Sequence, residues 1–231
     1  IVVLLNGSPV DLTWAEEHAD AIVEAWYPGE EGGTALADVL FGDYSPAGRL
    51  PITFPKSLDQ LPPFADYDMQ GRTYRFMTEE PLYPFGYGLS YTEFSYDDLK
   101  ISRASGSGAR GAGEGIRSGD TLRVSAQVTN TGGRAGDEVV QLYVSDVQAS
   151  VSVPLRHLEG FQRIHLAPGA SRTVTFDLAP RQLALVDDAG RWVVEPGEFH
   201  IYVGGGQPGH PATRGVAGSV TLSGDPVVLP D

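Results

Sequence analysis

Glu30 and Glu31 are adjacent carboxylates, a residue type that proton-transfer chemistry uses in pairs. An acid/base pair must face one reacting group from two sides, whereas neighbouring residues usually point in different directions. Both glutamates stand directly before Gly32-Gly33 and an apolar stretch with helical spacing. Because the helix dipole stabilises acidic side chains near a helix start, we expect a role at a helix end or a domain junction rather than in catalysis.

Arg72, Tyr74 and Arg75 bring two guanidinium groups and an aromatic ring into the short stretch Gly71-Arg72-Thr73-Tyr74-Arg75. Guanidinium donors can bind sugar hydroxyls, and an aromatic face can pack on the C–H face of a sugar ring. The same side chains could instead bind backbone carbonyls and hold a loop against its neighbour. We expect mainly the second role, and Arg72, Tyr74 and Arg75 remain candidates for contact with a substrate.

Other reactive residue types form no recognisable constellation. Asn6-Gly7-Ser8-Pro9 follows an apolar run and lies at the predicted carboxyl end of a parallel strand, where α/β sheets bind ligands. Turn chemistry alone explains these residues, however. Serines lie in no nucleophile-elbow pattern, and Gly204-Gly205-Gly206 opens no helix. The histidines lack metal-ligand spacing, so we expect no metal site and no cofactor; they are His18, His157, His165, His200 and His210.

Composition narrows the class of protein. The 231 residues carry a formal net charge of −14 and no run of Lys or Arg, which argues against nucleic-acid binding and anchoring to an anionic membrane. No apolar run approaches the roughly 20 residues of a membrane span. The absence of cysteine excludes disulfides and thiolate metal sites, and it is compatible with a cytoplasmic or a secreted protein. Any signal peptide would precede Ile1.

The first segment alternates strand and helix signals. Ile1–Leu5 is a continuous apolar run, typical of a buried parallel strand that has neighbours on both sides. Since no initiator Met or signal peptide precedes it, we expect the sequence to start inside a domain. Further elements are predicted as a helix over 11–18, a strand over 21–26, a helix over 31–41 and a strand over 49–54. This order predicts a parallel sheet covered by helices.

The remainder of the chain falls into two parts that differ in composition and hydrophobic pattern. Residues 55–96 are rich in Pro, Tyr, Phe and Gly without a sustained period, and we call them the aromatic loop. The second half shows short alternating segments separated by turn signals such as Asn130-Thr131-Gly132-Gly133 and Pro196-Gly197. It predicts an antiparallel β-sandwich of immunoglobulin or fibronectin III type. Ala104–Gly115, nearly all Gly, Ala, Ser and Arg, is interpreted as a flexible insertion after the first of these strands.

Several blocks of sequence resemble glycoside hydrolase family 3, of the β-glucosidase and β-xylosidase type. The first segment carries three of them, and the second half carries three that resemble the fibronectin III-like domain appended to many of these enzymes. In chain order the blocks are Trp26–Gly33, Ala37–Pro51, Pro84–Thr92, Val151–Arg156, Leu158–Phe161 and Val194–Phe199. The resemblance covers nearly the whole chain in order and at natural spacing.

The resemblance implies a layout and a chemistry. Members of this type resemble one another in having a TIM-like barrel, then an α/β sandwich, then a fibronectin III-like domain. They are retaining exo-β-glycosidases, and retention needs two carboxyl groups about 5 Å apart. By this resemblance the nucleophilic Asp lies in the barrel and the acid/base Glu lies upstream of the strand that matches Ile1–Leu5. No catalytic residue is then assigned to this chain.

The resemblance therefore predicts α/β plus all-β architecture. Residues 1–96 would be the C-terminal part of the α/β sandwich with its aromatic loop, residues 97–223 the fibronectin III-like sandwich, and residues 224–231 a tail. The chain would shape and brace the site for a β-linked oligosaccharide or glycoside, with its own N-terminal barrel as partner. The isolated chain would be inactive. The alternative is a carbohydrate- or protein-binding scaffold module without catalysis.

Overall fold

A computed structural model describes residues 1–104 and 115–230. Its helices are short: α1 (Thr13–His18), α2 (Gly32–Phe41) and α3 (Thr73–Phe76), with 3₁₀ turns at Leu58–Gln60 and Pro180–Leu183. The strands, in chain order, are β1 (Val2–Leu4), β2 (Ile22–Glu24), β3 (Phe94–Arg103), β4 (Leu122–Asn130), β5 (Gly136–Asp146), β6 (His157–Leu166), β7 (Ser171–Leu178), β8 (Leu185–Val186), β9 (Trp192–Val194), β10 (Gly197–Gly204), β11 (Gly215–Leu222) and β12 (Val227–Val228). The described protein is thus mostly β, with few helices.

The first segment forms a small parallel sheet. Strands β1 and β2 pair in parallel from Val2 opposite Ile22 to Leu4 opposite Glu24. Helix α2 ends at Phe41 and is capped by Gly42, whose φ of 83° is the left-handed conformation that closes many helices. The predicted strands at both positions and the two predicted helices are confirmed, with α1 starting at Thr13 and α2 at Gly32.

The predicted strand over Arg49–Phe54 is wrong. Only Phe54 of this stretch forms a β-bridge, an antiparallel one with Tyr83. The Leu50 N–H instead donates to the Tyr87 carbonyl at 2.8 Å, so the aromatic loop supplies the backbone partners. Pro51 and Pro55 lack the N–H that a central strand must donate. Within the described residues the parallel sheet therefore has two strands.

The second half is a sandwich of two antiparallel sheets. One sheet has the order β11-β10-β5-β6 and the other β3-β4-β7, with a small sheet β12-β9-β8 at the side. Strand β4 shows why the sequence folds this way, because its alternate residues Leu122, Val124, Ala126 and Val128 are fully buried. They pack against alternate residues of β5 and β10 in one hydrophobic core.

Strand β6 (His157–Leu166) pairs with β5 along its length, although the sequence pattern did not predict a strand there. The predicted insertion Ala104–Gly115 lies, apart from its two end residues, outside the described residues.

None of the helices within 1–104 and 115–230 has the length and apolarity that crossing a membrane requires.

Candidate functional site

A buried ion pair joins the first segment to the sandwich. Arg49 Nη2 donates to Glu138 Oε2 on β5 at 2.9 Å, and Arg49 Nε donates to the Gly205 carbonyl at 3.1 Å. The Tyr96 hydroxyl donates to the other carboxylate oxygen, Glu138 Oε1, at 2.8 Å. Burial raises the pKa of Glu138, and the nearby Arg49 charge opposes that rise. The pair thus fixes the position of the first segment relative to the sandwich.

A second polar link holds the aromatic loop on strand β5. Gln141 Nε2 donates to the Gly86 carbonyl at 3.1 Å, and its Oε1 accepts from the Tyr143 hydroxyl at 2.6 Å. Gly86 has a φ of 79°, and a Cβ there would lie 2.3 Å from Gln141 Oε1. Since only glycine fits this conformation and this contact, the loop is pinned to β5 by its backbone.

Arg72 connects two parts of the aromatic loop through its side chain. Its Nε donates to the Asp68 carbonyl at 3.0 Å, and its Nη2 donates to the Pro63 carbonyl at 3.2 Å. The acceptors are backbone carbonyls, as the structural interpretation of Arg72 predicts, but they belong to the aromatic loop itself and not to the sandwich. These hydrogen bonds close the turn that precedes helix α3, where Thr73 adopts a φ of 54°.

Tyr74 and Arg75 bind the sandwich. The Leu158 N–H donates to the Tyr74 hydroxyl at 3.1 Å, and the Tyr74 ring stacks on Phe85 with centroids 4.2 Å apart. The Leu155 N–H donates to the Arg75 carbonyl at 2.7 Å. The Arg75 guanidinium lies 5.9 Å from the Tyr74 ring centroid and is otherwise exposed. The structure therefore brings Tyr74 and Arg75 together at the sandwich, whereas Arg72 makes its hydrogen bonds within the aromatic loop.

An open cleft of about 360 Å³ lies where the aromatic loop meets the sandwich. The aromatic loop lines one side, and the connections from β5 to β6 and from β10 to β11 line the other. Of the three predicted residues, Tyr74 contributes to its wall. Its other polar residues include Glu79, Glu80, Arg156, Gln207 and His210.

The other sequence candidates have local structural roles. Glu31 precedes α2 and its Oε2 accepts from the Thr34 hydroxyl at 3.0 Å, which fits the expected helix-end role. Asn6 lies just beyond the carboxyl end of β1, and its Nδ2 donates to the Ser8 carbonyl at 2.6 Å. Over residues 1–104 and 115–230, no group of His, Asp and Glu side chains could hold a metal ion.

Sequence reasoning did not single out Arg49, Glu138 or Arg156. A signal for Glu138 existed, because it occupies an inward position of β5 in register with Val140 and Leu142. A charged residue at a core position requires a partner. The sequence does not identify the cation that pairs with Glu138, since Arg49 is 89 residues away.

Comparison with known proteins matches both segments. Residues 1–91 match the family described as Glycosyl hydrolase family 3 C-terminal domain, and residues 138–207 match the Fibronectin type III-like domain. A periplasmic beta-glucosidase of Salmonella typhimurium is 41% identical over 216 residues, which cover 88% of this chain and 27% of that protein. A beta-xylosidase of Formosa agariphila is 43% identical over 209 residues, covering 88% of this chain and 28% of that protein.

Solved structures show the same arrangement. Beta-glucosidase 3B from Thermotoga neapolitana superposes with a TM-score of 0.84 at 33% identity, covering 99% of this chain and 32% of that chain. The chain thus spans between about a quarter and a third of the length of these relatives. It belongs to glycoside hydrolase family 3, of which it carries C-terminal domain sequence and a fibronectin type III-like domain.

Proposed function

We propose that this chain is the C-terminal portion of a retaining exo-β-glycosidase. The enzyme would remove terminal non-reducing β-D-glucosyl or β-D-xylosyl residues, with its catalytic Asp and Glu upstream of Ile1. The observation that carries the proposal is the match of both segments, in order, to relatives named beta-glucosidase and beta-xylosidase. The partner of this chain would be its own N-terminal barrel.

Within that enzyme, residues 1–96 would complete an α/β sandwich. The two-stranded sheet is small for an independent layer. Trp14, Tyr27 and Phe41 leave 66%, 77% and 85% of their surface exposed, an unusual number of large apolar side chains for one short segment. Upstream strands and the barrel would cover them. Residues 97–223 would form the fibronectin III-like domain, whose strand β3 begins slightly earlier, at Phe94, and residues 224–231 would be the tail, which adds strand β12 to the side sheet.

The role of the chain would be to shape and brace the glycoside site. The buried Arg49–Glu138 pair and the Gln141–Gly86 hydrogen bond give the two segments a fixed relative position. Of the predicted candidates, Arg75 is best placed for contact with substrate, because its guanidinium is exposed and makes no hydrogen bond within the described residues. Arg72 and Tyr74 would support the loop that carries it.

The test is hydrolysis of aryl β-D-glucosides and β-D-xylosides by the native full-length protein and by the 231-residue chain. Proton NMR of the first product gives the stereochemistry. We expect the full-length protein to release the β-anomer and the 231-residue chain to release no sugar. Turnover by the chain alone, or inversion by the full-length protein, would contradict the proposal. A full-length protein that binds glycosides without cleaving them would favour the binding-module alternative.

A further inference from the structure

The cleft between the aromatic loop and the sandwich contains a cation that pairs with none of the described residues. Arg156 is half-buried in its wall and makes no hydrogen bond or ion pair with any residue in 1–104 or 115–230. Burial lowers the pKa of its guanidinium. The neighbouring Tyr143 hydroxyl donates to Gln141 Oε1 and not to a group of the cleft. A guanidinium group has five N–H donors, and its partial removal from water favours an acceptor supplied from outside the chain.

Two uncharged groups of the same cleft also have unmet hydrogen-bonding capacity. Gln207 is 7% exposed, and its Oε1 has no hydrogen-bond partner among the described residues. Thr53 Oγ1, which also belongs to the cleft lining, is likewise buried and unpaired in the described part of the chain. A buried acceptor without a donor destabilises the folded state. The cleft wall therefore favours a ligand that can donate as well as accept.

The rim of the cleft disfavours anions. Glu79 and Glu80 are exposed at its edge; Glu79 accepts from Gln60, and Glu80 lies 3.6 Å from the exposed Lys56 ammonium. Two carboxylates at the rim and a net charge of −14 repel a carboxylate or phosphate ligand. Hydroxyl groups both donate and accept, so they can satisfy Arg156, Gln207 and the carboxylates at once. The volume of about 360 Å³ falls within the usual range for small-molecule sites.

We propose that this cleft is a binding site for a neutral saccharide unit, in which the Arg156 guanidinium donates to sugar oxygens and Gln207 accepts from a sugar hydroxyl. Gln207 Oε1 is buried in the unliganded structure, so its amide would have to rotate toward the cleft to accept from the sugar. The apolar faces of Pro81, Pro84 and Pro208 offer a surface for the C–H face of the ring. The inference concerns binding by residues of this chain and stands apart from the hydrolysis proposed above.

The test is a titration of the 231-residue chain with glucose, cellobiose and sodium glucuronate, followed by NMR of the Gln207 side-chain amide and the Arg156 Nε–H. We expect both signals to shift and saturate with a neutral sugar. Arg156→Met keeps much of the apolar stem and removes the donors, so affinity should fall about tenfold or more. Arg172→Met changes an exposed arginine on β7 and should leave the affinity unchanged.

A second pair of substitutions avoids buried positions. Replacing both rim carboxylates, Glu79→Gln with Glu80→Gln, should strengthen glucuronate binding several-fold relative to glucose, because the repulsion is removed. The proposal is overturned if no neutral sugar saturates the two signals, if glucuronate binds the parent chain more tightly than glucose, or if Arg172→Met weakens binding as much as Arg156→Met. Each of these results leaves the hydrolysis assay of the full-length protein unaffected, so the two proposals fail separately.

Discussion

Arg49 and Glu138 form an ion pair at 2.9 Å, and their side chains are only 8% and 3% exposed. Arg49 comes from the segment that matches the family 3 C-terminal domain, and Glu138 opens the stretch that matches the fibronectin type III-like domain. A buried charge is tolerated only when a partner and further hydrogen bonds satisfy it. The Tyr96 hydroxyl and the Gly205 carbonyl complete this set.

Breaking this pair should destabilise the chain strongly. Arg49→Met leaves Glu138 buried without its counter-charge, and we expect a loss of about 3–5 kcal/mol in the free energy of unfolding. Arg123→Met removes a surface ion pair with Asp177, which is exposed to solvent and contributes little. Urea unfolding monitored by circular dichroism compares the two variants. Equal stability of Arg49→Met and Arg123→Met would contradict the role of the buried pair.

Gly86 should not tolerate a side chain. A Cβ there would lie 2.3 Å from Gln141 Oε1 and 2.8 Å from the Tyr143 hydroxyl, in a backbone conformation with φ of 79°. We expect Gly86→Ala to lower the melting temperature clearly, because both the turn and the Gln141 hydrogen bonds must change. Gly33→Ala is the matched control, since a Cβ there meets no atom within 4 Å and alanine favours helix α2. A Gly86→Ala variant as stable as Gly33→Ala would refute the close contact.

Alkaline pH should destabilise the sandwich through a buried tyrosine. Burial raises the pKa of Tyr202 to about 12 from an ordinary value of 10.0. The folded state therefore holds this proton more tightly than the unfolded chain, so the contribution is complete below about pH 10 and is lost as the pH rises toward 12. Tyr202→Phe should lose less stability over this window than the parent.

Tyr67→Phe provides the control for the pH experiment, because Tyr67 is 90% exposed. Its unfolding free energy should follow the parent curve across the same pH range. Burial also raises the pKa of Tyr96 and Tyr143, so Tyr202→Phe removes part of the alkaline loss and not all of it. Parallel curves for the parent and Tyr202→Phe would contradict the assignment.

The first segment should not fold by itself. Residues 1–96 contain a small buried cluster of Leu12, Ala15 and Phe54, and their parallel sheet has two strands in the described structure. Without the sandwich they also lose the Glu138 and Gln141 partners. We expect residues 1–96, expressed alone, to show no cooperative thermal transition, whereas residues 92–231 melt cooperatively. A cooperative melt of the first fragment would defeat this prediction.

Helices and strands were predictable from the sequence where one face of the element is completely buried, because burial imposes a regular apolar pattern. Strand β4 alternates strictly because its inward side chains are fully buried, and α2 is marked by its apolar spacing and by Gly42. Strand β6 was not predicted because its first half, from His157 to Phe161, is only partly buried or exposed. Apolar and polar residues therefore do not alternate regularly there. The apolar run at Arg49–Phe54 suggested a strand, but its backbone partners come from the aromatic loop.

The site was less predictable than the fold. The distinction between loop support and sugar contact at Arg72, Tyr74 and Arg75 depends on which backbone groups lie nearby, and sequence spacing does not contain that information. The cleft is formed by segments that are far apart in sequence, such as Thr53, Arg156 and Gln207. Only the packing of the aromatic loop on the sandwich brings them together.

The most direct test of whether this chain belongs to a larger glycosidase is the intact mass of the native protein. The protein would be purified from its source and identified by peptides of this sequence. We expect a species well above 24.7 kDa, larger by a barrel of about 250 residues and the remainder of the α/β sandwich. Both catalytic carboxylates would then be sought in the upstream sequence. A native species of 24.7 kDa would show that the chain is not part of a larger glycosidase.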